Sequence, residues 1–483
     1  MKLAWFQWIY LKKNLTVRPL FRIIFYKKNG TLRKIGTMIL DQEPLKTSDL
    51  DRKITILRKL FQEKNQHQRA SDPPPFLELL NPAELKSRIK IFLNETHSAI
   101  LISVSHDDYR KITGGVQICI RREEQAARKE GFIYLHVSPL RDADGQNYAG
   151  PDTIVSVVIN GSDLGCTRLS SLILAVRDLK QTDIQIIIHH LLGFNINQLS
   201  NLIQTTEENS CILWLHDFYT ICPSYKLSRN DTGFCHAPAI ESNACQLCAY
   251  KNERVQHSAQ VQSFFVNHKV KIVAPSNHTL NFWISKSNLK PSSCHVISHQ
   301  KLEILPRKNK VILSPTQSVR VAYLGYLIES KGWPIFQKLV SEFAKKSEYK
   351  FYVFCKNNPN FFNVNWINVT VTKENADAMM NEIAKNEIDI AILWPNWPET
   401  FSLTAFEALG GSAFIVTNSS SGNIADIIRE TGRGVVLDSE RALVDLFSSG
   451  AIVQLAEKRR QDYFENEIAE KNSSLSLNII HRK

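Results

Sequence analysis

Two glutamates, Glu399 and Glu407, stand eight residues apart in "WPNWPETFSLTAFEALGGSAFIVTNSSSGN" (394–423), ahead of Gly410-Gly411 and an apolar run. Glu399 follows the run "IDIAILW" and the Pro395/Pro398 loop, so it is expected at the carboxyl end of a strand. The next helix should start between Phe401 and Thr404, with its first N–H groups unpaired and aimed at a cleft, an arrangement suited to a diphosphate. A structural alternative exists for each carboxylate. Thr404-x-x-Glu407 spells a capping box, and Glu399 on a Pro-bracketed loop could simply be solvated.

Other residues point to the same place. "VAYLGYLIESKGWPIF" (321–336) ends a strand in Gly325 and sets Lys331-Gly332 at the next helix start, where a lysine can neutralise a phosphate from the second side of the cleft. "HDDYRKITGGVQ" puts Gly114-Gly115 between a strand and its helix, either as a plain turn or as backbone that approaches a ligand closely. "CILWLHDFYTICPSY" ends a buried strand in His216-Asp217, and His189-His190 repeats the pattern one strand earlier. A histidine at a strand tip can donate to a sugar hydroxyl or support a developing charge, or it can be a satisfied core residue. Cys222, Cys235, Cys245 and Cys248 form C-x12-C-x9-C-x2-C just after His216. Four thiolates ending in C-x2-C suit a closed, structural zinc site, with His236 as a substitute ligand and four reduced thiols as the other reading.

The elements that must position these residues are legible as apolar runs. "AILISVS", "FIYLHV", "TIVSVVI", "IQIIIHH", "CILWLHD" and "KIVAPS" make one series, and "VRVAYLG", "KFYVFC", "IDIAILW" and "SAFIVTN" make a second. Continuous β-branched runs alternating with helical patterns predict parallel sheets covered on both faces, hence an α/β fold of two facing doubly wound domains. Ligands then sit at the carboxyl strand ends. The expected division is a basic, aromatic extension and helical connector over 1–95, a first domain over 96–305 carrying the four-cysteine loop, and a second domain over 306–483 with a terminal helix. "PRKNKVILSPTQS" reads as the linker, and a polar helix near 49–63 and Pro73-Pro74-Pro75 as the connector.

With 43% hydrophobic and 22% charged residues in 483, the composition is that of an ordinary globular chain. The net charge of +12 is local: residues 1–40 hold nine Lys/Arg and no acid, leaving 12 − 9 = +3 for the rest. That excludes the body of the chain as an electrostatic nucleic-acid binder. Trp5, Trp8 and Tyr10 beside Lys12-Lys13 have the composition of an anchor for an anionic membrane face, a frayed basic tail being the alternative. No run reaches the ~18 apolar residues of a membrane span, and a cytoplasmic protein, peripheral on the inner membrane face, is expected. Nine cysteines in such a compartment are buried thiols or metal ligands rather than disulfides.

Taken together, Glu399-x7-Glu407, "GYLIESKG", "GGVQ", the strand end "HD.Y..CP" and "VAPS" (273–276) resemble the retaining GT-B glycosyltransferases of family 4. The resemblance covers about residues 97–460, scattered in the first domain and specific in the second. It implies transfer of a sugar from a nucleotide-sugar donor to a glycan or lipid-linked acceptor, with retention and without a catalytic metal, as in bacterial surface polysaccharide synthesis. Glu399 would meet donor-sugar hydroxyls and Glu407 the ribose. Lys331 and the amides of Phe401, Ser402 and Leu403 would hold the diphosphate, His216 would contact the sugar, and Gly115 would pass close to the phosphate. Two positions depart from the pattern: Tyr326 stands where Arg is common, and Ser402 where Gly is common. A binding scaffold that kept the fold is the alternative to an enzyme, and the intact Glu399, Glu407 and Lys331 argue against it.

Overall fold

The structure is a computed structural model describing residues 77–93, 99–112, 114–142, 147–148, 152–179, 182–306, 318–372, 375–472 and 476–480. The basic extension, the connector helix, the triple-proline break and residues 307–317 of the expected linker lie outside them. The chain divides into two compact units, Met1–Arg69 and Ala70–Lys483, and every described element belongs to the second.

The first sheet takes in β1 (Leu79–Leu80), β2 (Ala99–Val104), β3 (Ile133–Pro139), β4 (Ile154–Ile159), β5 (Ser162–Arg168), β6 (Asp183–Ile188) and β7 (Ser210–Trp214). After a small hairpin, β8 (Ser228–Arg229) with β9 (Gly233–Phe234), it is completed by β10 (Lys269–Ala274) and β11 (Ser293–Val296). Its order is β1-β5-β4-β3-β2-β6-β7-β10-β11. The strands from β3 through β2 to β11 run parallel, with registers such as Ile102↔Ile186 and Ile272↔Leu213. Val, Ile and Leu side chains of β2, β3, β6 and β7 are buried alternately in two apolar layers, one on each face of the sheet. Full burial of each is worth roughly 1.5–3 kcal/mol, which is why these strands read as unbroken apolar runs.

"TIVSVVI" departs from the parallel series expected of it. As β4 it runs antiparallel to β3, and β5 antiparallel to β4. A parallel neighbour needs a crossover, usually a helix, and no described helix lies between Pro139 and Ile154. The β4–β5 link is the two-residue turn Asn160-Gly161, both with positive φ (48° and 81°), the hairpin chemistry of a primed turn.

Gln300–Pro306 (β12) then leads to the second sheet: β13 (Val319–Leu324), β14 (Tyr349–Cys355), β15 (Asn365–Asn368), β16 (Ile390–Ile392), β17 (Phe414–Asn418) and β18 (Gly434–Leu437). All its pairs are parallel, in the order β15-β14-β13-β16-β17-β18. This is the doubly wound dinucleotide-fold order, with its switch point between β13 and β16. The terminal segment does not stay with this sheet. β19 (Asn466–Asn472) pairs antiparallel with β12, and the helix Leu477–Ile480 buries Leu477 and Ile479 in the first domain's core beside Leu101 and Trp214. Two doubly wound domains facing a common cleft is the GT-B layout that the resemblance implies.

Candidate active site

The carboxyl strand ends of both sheets meet at one seam. In the first sheet, β2, β6 and β7 end just before Ser105, His189-His190 and His216; in the second, β13 ends at Gly325 and β16 opens the loop to Glu399. Polar side chains therefore collect where the strands stop.

The second-domain half is built around one ion pair. Lys331 Nζ donates to Glu399 Oε1 at 2.7 Å. Glu399 is buried, whereas Lys331 is 37% exposed at its side chain. Close backbone approaches fix both. Gly332 has φ +84°, and a Cβ there would lie 2.2 Å from the Trp394 carbonyl oxygen. Gly422 has φ +69°, and a Cβ there would lie 2.5 Å from the Glu399 carbonyl oxygen. Asn423 Nδ2 donates to the Phe401 carbonyl at 2.9 Å and Asn418 Nδ2 to that of Pro395 at 2.8 Å, so the last residue of β17 and the turn after it brace the 394–402 loop near both ends.

The helix Leu403–Gly410 starts where the sequence places it. Its cap is Ser402, at φ 68°, and no side chain caps it. Thr404 lies inside the first turn, so the capping-box reading of Thr404 and Glu407 fails and Glu407 sits one turn in, half-buried. Ser402 holds a left-handed conformation that glycine adopts without the ~1–2 kcal/mol that it costs other residues, the physical content of its departure from the family pattern.

The two halves meet directly. Thr400 Oγ1 donates to the His216 carbonyl at 2.7 Å, and Ser276 Oγ and Thr279 Oγ1 donate to the Thr400 carbonyl at 2.7 and 2.9 Å. A Cβ on Gly115 would be 3.8 Å from Leu403 Cδ1, which places the glycine loop opposite the uncapped helix start. Gly114, at φ −152°, is ordinary extended backbone and caps the helix Gly115–Lys129. Phe401 meets His299 edge-on, with ring centroids 5.0 Å apart. Tyr326, by contrast, is 67% exposed.

Behind the seam runs a buried polar chain. Glu123 accepts the hydroxyls of Tyr134 (2.9 Å) and Ser476, and its Oε1 is 3.0 Å from His189 Nε2. His189 Nδ1 is 3.0 Å from His216 Nε2. Burial opposes the Glu123 charge, but His189 and the two hydroxyls outweigh it and hold the carboxyl below its usual range. The two ring nitrogens of His189 thus link the Glu123 carboxylate to His216. Burial, then the neighbouring His299 and His189, keep His216 neutral well below the usual histidine range.

Burial also lowers His136 to about 4 and His106 and His299 to about 3. In the unfolded chain these groups take up protons near pH 6.5, and in the folded protein only near 3–4. The unfolded state therefore binds more protons across that window, and stability falls as pH drops below about 6.5. Thermal unfolding followed from pH 8 to 4 should show a midpoint that declines steadily below about 6.5; a flat profile to pH 4 would contradict the buried neutral histidines.

One group of ligand-type atoms within 4.8 Å of one another lies here: Cys119, His216 and His299. The two imidazoles are stacked, 19° from parallel, so their in-plane lone pairs do not converge, and burial pushes the Cys119 thiol up to about 12. The four loop cysteines are arranged otherwise. Cys222, Cys235, Cys245 and Cys248 all line one small cavity of about 20 Å³, with Arg229 and Arg254 beside them. The Cys248 N–H closes the C-x2-C turn on the Cys245 carbonyl at 3.0 Å, and Arg254 Nη1 donates to Cys245 Sγ at 3.1 Å. Among the described residues the four loop sulfurs do not form a group of three or more within 4.8 Å of one another, so the thiols share a cavity without being drawn into a closed tetrahedral set.

No protein-family model matches the chain, and no curated protein matches it. Among solved structures it is similar to sucrose-phosphate synthase from Thermosynechococcus elongatus, with 13% identity, 76% of this chain and 95% of that one covered, and a TM-score of 0.46. It is similar to a glycosyltransferase from Rickettsia africae, with 14% identity, coverage of 76% and 93%, and a TM-score of 0.45. A third likeness is to Anabaena Alr3699/HepE solved in complex with UDP-glucose, with 10% identity, coverage of 74% and 91%, and a TM-score of 0.44.

The seam also holds residues that sequence reasoning missed. Thr400 carried a signal in hindsight, sitting between Glu399 and the helix start. Asn423 and Gly422 lie in the "SSSGN" turn that ends the quoted stretch. Glu123, His299 and Lys226 had none, since each reaches the site only through the fold.

Proposed function

We propose that this cleft transfers a sugar from a nucleotide-sugar donor to a glycan or lipid-linked acceptor, retaining the anomeric configuration, as a hexosyltransferase-like member of family 4. The reading is carried by the Lys331–Glu399 pair set beside the uncapped start of the helix Leu403–Gly410. A diphosphate leaving group needs charge stabilisation more than a strong acid. A lysine and a helix N-terminus supply it without reorganising at the moment of reaction.

Each residue then has a task. Lys331 and the amides of Phe401, Ser402 and Leu403 hold the diphosphate, with Gly115 leaving room on the opposite wall. Glu399, released from Lys331 as the diphosphate arrives, accepts hydrogen bonds from sugar hydroxyls, and Glu407 takes those of the ribose. His216, neutral and oriented through His189 by Glu123, offers its remaining ring nitrogen to the sugar. The acceptor attacks from the face the diphosphate leaves, and no step uses a metal. The four loop cysteines hold a structural zinc that fixes the loop's shape.

Residues 1–40 are proposed to hold the enzyme on the anionic inner membrane face, where a lipid-linked acceptor of surface polysaccharide synthesis would lie; no described helix is long and apolar enough to cross a membrane. Liposome co-sedimentation of the full chain and of a chain starting at residue 41 tests this, and equal sedimentation would reject it. The transfer reading is tested by incubating the protein with individual nucleotide-sugars and following slow hydrolysis by NMR. Release of a sugar with the donor's anomeric configuration is expected from one of them. Binding without any turnover, with or without acceptor, would leave only a scaffold.

A further inference from the structure

We propose that Lys226, on the cysteine loop of the first domain, is the second cation of the diphosphate site, closing over the ligand from the side opposite Lys331. The proposal rests on the reading of the cleft as a nucleotide-sugar site and names a residue that reading does not use.

Lys226 Nζ lies 3.5 Å from Oγ of Ser330, the residue before Lys331, although the two are far apart in the chain. It lines a cavity of about 400 Å³ shared by both domains, with Tyr225 and Asp231 on one wall and Ser330, Asn396 and Trp397 on the other. Lys331 borders the same wall, its ammonium 5.9 Å from the Trp397 ring centroid. Lys331 pairs with Glu399 from the second domain, and Lys226, from the first, lies close enough to feel the charges of both. Burial, and next the charge of Lys331, work against the Lys226 proton, while Glu399, Asp217 and Asp231 support it. Like charges held near one another at a half-buried seam repel, the carboxylates there offset that in part, and a diphosphate would add negative charge beside both lysines. A diphosphate presents two phosphoryl groups, and lysine acts on each as a point charge. Tyr326, on the second domain's own loop, brings no charge.

The placement has a consequence for closure. Because the cations come from different domains, a diphosphate would bridge them, whereas a nucleoside without phosphates would not. Cys222 and Cys235 flank Lys226 in sequence and line the same small cavity, so the cysteine cluster fixes the loop that presents it.

The test is calorimetric titration of inorganic pyrophosphate, then UDP, GDP and ADP, into the full chain and into Lys226→Gln, Lys226→Arg and Lys331→Gln. Equal thermal midpoints for wild type and Lys226→Gln would show that folding is intact. Lys226→Gln is expected to weaken pyrophosphate and nucleoside diphosphates about tenfold, as loss of a charge-assisted contact does. Lys226→Arg should keep most of the affinity, and uridine, guanosine or adenosine should be unaffected. Unchanged diphosphate affinity in Lys226→Gln, with loss in Lys331→Gln, would overturn the role of Lys226 and leave the cleft reading standing. Wild-type affinity in both lysine variants would overturn the diphosphate site itself.

Discussion

Lys331→Ala is expected to lower kcat/KM for transfer by about 100- to 1000-fold, the range seen when one preorganised charge-stabilising donor is removed. The loss should be larger for chemistry than for nucleoside binding, because the lysine meets the charge that grows as the diphosphate departs. A second effect must be separated from the first. Glu399 is buried and Lys331 is its partner at 2.7 Å, so removing the lysine leaves a carboxylate desolvated and costs about 1–3 kcal/mol of stability. Glu399→Gln keeps the side chain's shape and removes the charge. It should cut turnover strongly while nucleoside diphosphate still binds, since its proposed partner is the sugar. Gly422→Ala acts by geometry alone: its Cβ would collide with the Glu399 backbone, and a displacement near 1 Å can cost about 100-fold in rate. Wild-type turnover in Lys331→Ala and Glu399→Gln would mean that the chemistry lies elsewhere.

Replacing Cys245 and Cys248 together by serine is expected to lower the thermal midpoint and to abolish the binding of the one structural zinc per chain proposed for the wild-type protein. The four sulfurs line one cavity with Arg229 and Arg254, and without metal the loop from Cys222 to Cys248 loses its only proposed cross-link. The effect on transfer should follow that loss of order, with diphosphate affinity falling alongside stability, rather than appearing as a selective loss of chemistry. Wild-type protein purified without chelator and carrying far less than one zinc would contradict the tetrathiolate centre. An unchanged midpoint in the double variant would do so too.

How much of this was legible in the sequence differs between the two domains. Strands β2, β3, β6, β7, β10, β13, β14, β16 and β17 coincide with the quoted apolar runs, because strands covered on both faces must be apolar at every position. The edge strands β11 ("SCHV") and β15 ("NWIN") face solvent on one side and look like loop. The Asn160-Gly161 pair is itself a hairpin signal: read as a primed turn, it makes β4 and β5 antiparallel, against the parallel series that their apolar run suggests. Glu399, Lys331, Phe401, Leu403 and His216 stand out in the sequence because each lies just past a strand or at a helix start, and the fold brings them to one seam. Lys226 and Glu123 do not stand out, because one lies within the loop between β7 and β8 and the other in the middle of the helix Gly115–Lys129, neither at a strand end nor at a helix start. Spacing along a chain does not encode which loop crosses a cleft. Ser402 was seen as a departure, but its cost became visible only with its φ of 68°.

The cleft between the two sheets is proposed to bind the diphosphate of a nucleotide-sugar through Lys331 and the start of the helix Leu403–Gly410. Calorimetric titration of UDP, GDP and ADP into wild type and Lys331→Gln measures this most directly. One of the three should bind one-to-one, Lys331→Gln should weaken it about tenfold or more, and the matching nucleoside should be insensitive to the substitution. No binding of any of the three to wild type at millimolar concentration, or equal binding to both proteins, would contradict the proposal.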